Sequence, residues 1–95
     1  MEVEMTLFGP IREAAGEKTL VRTLPDGATV GDLADDLADD YPALSGWLLN
    51  EDGEVDGGVN VTVNGTNVRQ LDGAATTLGD GDVLRAAPPV VGGRE

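Results

Sequence analysis

Residues 79–93 read Gly79-Asp80-Gly81-Asp82-Val83-Leu84-Arg85-Ala86-Ala87-Pro88-Pro89-Val90-Val91-Gly92-Gly93. Gly79-Asp80-Gly81 has the composition of a turn, and Asp82–Ala87, with Val83 and Leu84, reads as a last strand. Pro88-Pro89 ends it, because proline offers no N–H to a ladder. Val90-Val91-Gly92-Gly93-Arg94-Glu95 then has neither helical spacing nor the character of a central strand. The chain is therefore expected to be a folded domain over 1–87 and an extended, flexible tail over 88–95.

Working outward, Val3, Met5 and Leu7 alternate with Glu2, Glu4 and Thr6. Period two with one apolar face predicts a half-buried strand, which Gly9-Pro10 stops. Ile11–Ala15 is expected to be a short helical turn closed by Gly16. Thr19–Leu24 is a second strand, with Leu20, Arg22 and Leu24 on one face. The clearest helix follows Pro25-Asp26-Gly27. Thr29 is its N-cap, and Asp32 three residues on forms an acidic capping box. Val30, Leu33, Ala34, Leu37, Ala38 and Tyr41 fall on one face at helical spacing, and Pro42 ends the run. Ala43–Leu49 is expected to be a second short helix, and acidic, glycine-rich Asn50–Gly58 a loop. Val59, Val61 and Val63 mark a strand, Asn64-Gly65 a two-residue hairpin, and Thr66–Gln70 a short return strand. One amphipathic helix among several strands must bury its stripe on a sheet, which makes a two-layer α+β domain.

The composition excludes several functions. With no Cys and no His, the chain has no disulfide, no thiol nucleophile, no imidazole base and none of the usual zinc ligands beyond carboxylates. Eighteen acids against six bases leave a net charge of −12, which opposes binding nucleic acid through its phosphates. No apolar run approaches the roughly 20 residues of a membrane span, and the N-terminus lacks a signal-peptide design. A cytoplasmic protein that binds neither nucleic acid nor membrane is expected. The acids cluster as Asp32, Asp35, Asp36, Asp39, Asp40 and as Glu51, Asp52, Glu54, Asp56. Such a surface repels itself unless salt screens it, so a salt-rich cytoplasm is the expected setting.

The ordered set of motifs resembles a known family. Pro88-Pro89-Val90-Val91-Gly92-Gly93 after Asp80-Gly81-Asp82-Val83 resembles the end of the small subunit of molybdopterin synthase. Leu7-Phe8-Gly9 with Ile11-Arg12-Glu13-Ala14-Ala15-Gly16 is similar to that family's first strand and helical turn. Thr29-Val30-Gly31-Asp32-Leu33 is similar to its main helix start, and Val59–Gly65 to its hairpin. With the acidic composition, the chain looks most like the ubiquitin-like small archaeal modifiers. The resemblance implies a β-grasp fold: a mixed four- to five-stranded sheet packed on one main helix, with short extra helical turns. It also implies a protein that is not itself an enzyme.

In such proteins the chemistry occurs on the carboxylate of the last glycine, here Gly93. A carboxylate is a poor electrophile until ATP converts it to an acyl-adenylate. An E1-like activating enzyme supplies the ATP site, so the chain itself is expected to bind no cofactor or metal, and its lack of Cys and His is no obstacle. Glycines without Cβ can thread a narrow channel, and prolines stiffen the stem. The resemblance thus assigns Gly93 as the conjugation or thiocarboxylate site. It makes Pro88, Pro89, Val90, Val91 and Gly92 the partner-binding tail. Phe8 lies opposite in parity to Val3, Met5 and Leu7 and is either core or part of a partner patch. Lys18, the only lysine, is a possible acceptor for a second modifier. Arg94-Glu95 departs from the family pattern and locks Gly93 in a peptide bond, so a processing protease is implied. The partners that follow are the activating enzyme, the protease, and either target proteins or a molybdopterin synthase large subunit. Three functions stay open: conjugation to lysines, sulfur transfer through a thiocarboxylate to molybdopterin or tRNA, and non-covalent binding of a basic partner by the acidic helix.

Overall fold

The computed structural model describes residues 1–88. β1 (Glu2–Leu7) leads into α1 (Gly9–Ala15), β2 (Thr19–Thr23) and α2 (Val30–Asp40); β3 (Asn60–Val63), β4 (Thr66–Asn67) and β5 (Val83–Ala87) follow. They form one mixed sheet in the order β2-β1-β5-β3-β4. β1 and β5 run parallel at its centre, with Met5 opposite Leu84 and Leu7 opposite Ala86. The other pairings are antiparallel. A mixed sheet with a central parallel pair, covered on one face by a main helix, is the β-grasp arrangement.

The alternation in β1 does what its period requires. Val3, Met5 and Leu7 are buried beneath α2, together with Leu84 and Ala86 of β5 and Val61 of β3. α2 contributes Val30, Leu33, Ala34 and Leu37 to the same core. Its acids lie on the far side, with Asp36 partly covered. Asp32 N–H donates to Thr29 Oγ1 at 3.2 Å, and Thr29 N–H donates back to Asp32 Oδ2 at 3.0 Å, closing the capping box. The other end of α2 carries Asp39 and Asp40, the wrong sign for a helix C-terminus. Arg22 of β2 answers Asp40 and, one turn earlier, Asp36: Nη1 stands 2.8 Å from Asp40 and Nε 3.5 Å from Asp36, and the guanidinium lies over the Tyr41 ring.

Three expectations change. Gly9-Pro10 stops β1 as expected but also opens α1, since proline suits the first helical turn. The helix expected over Ala43–Leu49 is only a 3₁₀ turn, Pro42–Leu44. Gly46 at φ +86° turns the chain away, yet Leu44 and Leu48 still reach the core. The strand expected over Thr66–Gln70 lasts two residues and then winds into a 3₁₀ turn, Val68–Gln70. There Asn67 accepts from Arg69 N–H at 2.9 Å, so a side chain replaces the ladder. The hairpin itself is as expected, with Asn64 and Gly65 both at positive φ.

Candidate functional site

The first and last strands are neighbours at the sheet centre, so β5 ends in the middle of the sheet. β5 ends at Ala87, and Pro88 follows it past the C-terminal end of β1. The parallel pairing continues one step beyond Leu7: Phe8 N–H donates to the Ala86 carbonyl at 3.0 Å. Gly9 then turns the chain into α1 at φ +60°, and the Pro88 ring lies over it. Pro88 is thus held between Phe8-Gly9 and the end of β5.

Phe8 is 37% exposed and so is not core. The face of the sheet turned away from α2 bears two further exposed apolar side chains, Val21 and Val83. They flank Glu4 across three adjacent strands. Arg85, also exposed, stands between Thr6 and Thr62. Lys18 is exposed in the connection from α1 to β2, and its carbonyl accepts from Leu7 N–H at 2.7 Å. Phe8, Lys18 and Pro88 therefore share one end of the sheet. Pro89, Val90, Val91, Gly92 and Gly93, and the extension Arg94-Glu95, lie outside the described residues. Arg12 and Glu13 are exposed on α1.

Sequence reasoning missed Gly9 as part of this site. Gly-Pro after a strand has an ordinary meaning as a stop, and only the parallel pairing of β1 with β5 brings Gly9 to the tail. The residues gathered here set an exposed aromatic ring beside the end of β5. Among the described residues no helix is long and apolar enough to cross a membrane.

The sheet order and the main helix packed on one face define a ubiquitin-like β-grasp protein. Residues 5–93 match the model of the ThiS family, and the chain belongs to that family. It is similar to small archaeal modifier protein 3 of Haloferax volcanii, 47% identical over 93 residues, covering 98% of this chain and all of the relative. It is also similar to the sulfur carrier protein CysO of Mycobacterium tuberculosis, 36% identical over 69 residues, or 70% of this chain and 74% of CysO. Among solved structures, the crystal structure of SAMP1 from Haloferax volcanii superposes with a TM-score of 0.82 at 34% identity, covering 98% of this chain and all of that one.

Proposed function

We propose that this chain is a ubiquitin-like protein modifier that acts through Gly93. Hydrolysis of the Gly93–Arg94 bond frees the glycine carboxylate. That carboxylate attacks the α-phosphorus of ATP on an activating enzyme, releasing pyrophosphate and leaving an acyl-adenylate. A target lysine amine then attacks the acyl carbon, forming an isopeptide bond and expelling AMP. The chain contributes the electrophile and the docking surface; the partner contributes nucleotide binding and catalysis.

The observation that carries this reading is the placement of the tail root beside exposed Phe8, on a domain whose relatives include small archaeal modifiers. An enzyme that grips the tail meets Phe8 at the same end of the sheet, an apolar anchor of the kind that interfaces favour. A second reading is favoured by one finding, the likeness to a protein named a sulfur carrier. In that reading a sulfur nucleophile takes the place of the lysine and the product is a thiocarboxylate. Lys18, as the only lysine, would accept a second modifier if chains form.

Intact-mass spectrometry of the protein from its own host, with tryptic digests of its conjugates, tests both. Trypsin cuts after Arg85, so conjugation leaves residues 86–93 on acceptor lysines. A chain ending at Gly93 together with that remnant supports the modifier. A Gly93 end carrying one sulfur in place of oxygen moves the function to sulfur transfer. A full-length chain with neither product overturns both.

A further inference from the structure

We infer that Gly9 is a positioning residue for the tail: its missing Cβ leaves the space in which Pro88 rests, and this sets the direction in which the reactive end leaves the domain. The inference rests on the proposed use of Gly93. At Gly9 two strands that have run side by side must part. β1 turns off into α1, and β5 continues as the tail. Gly9 makes the turn at φ +60°, a conformation costly to residues with a Cβ. A Cβ built there would stand 3.3 Å from Pro88 Cγ and 3.4 Å from Cδ. The first is closer than an ordinary contact, so Pro88 would have to move. Pro88 is also the stiff part of the stem, because its ring fixes φ. A small displacement of Pro88 therefore shifts the point from which the chain continues toward Gly93, while Phe8 stays tied to the Ala86 carbonyl.

The fold supplies a matched control. Gly16, at the other end of α1, has φ +76° and nothing within 4 Å of an added Cβ. Gly16→Ala therefore imposes similar backbone strain without touching the tail. The variants to compare are Gly9→Ala, Gly16→Ala, Pro88→Ala and Gly9→Ala with Pro88→Ala. They are made in the chain ending at Gly93, the form the proposed function requires. ATP–pyrophosphate exchange is followed with the host's activating enzyme, and thermal midpoints are recorded alongside.

Both glycine variants are expected to lose thermal stability to a similar degree. Only Gly9→Ala should lose kcat/KM, by roughly threefold or more, since Pro88 must give by a few tenths of an ångström and a misplacement on the order of 1 Å can cost about a hundredfold. Adding Pro88→Ala removes Cγ and Cδ, so the double variant should exchange at the rate of Pro88→Ala alone, the two losses not adding, while the midpoint stays lowered. Equal losses for the two glycine variants, or additive losses in the double variant, overturn the inference. If Gly9→Ala does not fold, Pro88→Ala alone decides: a raised KM at constant kcat supports the role, and an unchanged KM removes it. Wild-type protein inactive in exchange sinks the proposed function, and the positioning role with it. Active wild type with indistinguishable variants sinks the positioning role alone. In the full chain, NMR contacts between Gly9 Hα and the Pro88 ring give an independent readout, and their absence also overturns the inference.

Discussion

Arg22 shows how much a single side chain in this fold answers for. It faces the helix side of β2, where Leu20 of the strand and Leu24 just after it are buried. Its guanidinium serves Asp36, Asp40 and the Tyr41 ring together. A partly exposed pair in water is worth little, but here the cation also offsets acids at a helix C-terminus. Arg22→Gln should lower stability by about 1 kcal/mol, read as a shift in the denaturation midpoint. Asp40→Asn should cost less, because losing the ion pair also removes a charge the helix end opposes. Equal losses would mean that the helix end does not feel the charge. The sequence placed Arg22 on the correct face of β2 by parity. It could not show that the end of α2 lies above it, because that contact depends on how the helix crosses the sheet.

At the scale of elements, α2 was legible almost to the residue. Its signals are local: a capping box spans three residues, and a proline after the last turn stops the helix wherever it packs. Thr29→Ala should therefore cost about 1 kcal/mol, whereas Leu37→Ala, emptying a fully buried site, should cost about 2–5 kcal/mol. Chemical denaturation of both variants checks the order, and a larger loss at Thr29 would reverse this account. β4 and the segment after Pro42 were less legible. Thr66–Gln70 has a strand's composition, but Asn67 caps a 3₁₀ turn and ends the ladder after two residues. Leu44 and Leu48 are spaced for a helix and are buried without one. Burial rewards apolar atoms in any backbone conformation, so spacing alone could not distinguish these cases. Gly65→Ala should loosen the β3–β4 hairpin, since Gly65 sits at φ +91°. Faster amide exchange at Val63 and Thr66 would report it, and unchanged protection there would contradict it.

For the molecule as a whole, charge is the dominant feature. A net −12 on 95 residues makes the compact state repel itself, and salt relieves this by shortening the screening length. Salt also weakens the Arg22 pairs, but those are few against the summed repulsion. The thermal midpoint should rise with potassium chloride into the molar range; a midpoint highest in dilute buffer would contradict this. Charge, the absence of Cys and His, the helix with its caps, the hairpin turn and the Pro-Pro-Val-Val-Gly-Gly tail were all determined by the sequence itself. Each is either a sum over residues or an interaction between residues a few positions apart. What only the tertiary structure decided is the company Pro88 keeps. Gly9 and Pro88 are 79 positions apart and meet because the first and last strands pair in parallel at the sheet centre. Phe8 is left exposed at the same rim because its neighbour Leu7 takes the inner face. Contacts of that kind follow from the assembled sheet, and no local pattern in the chain encodes them.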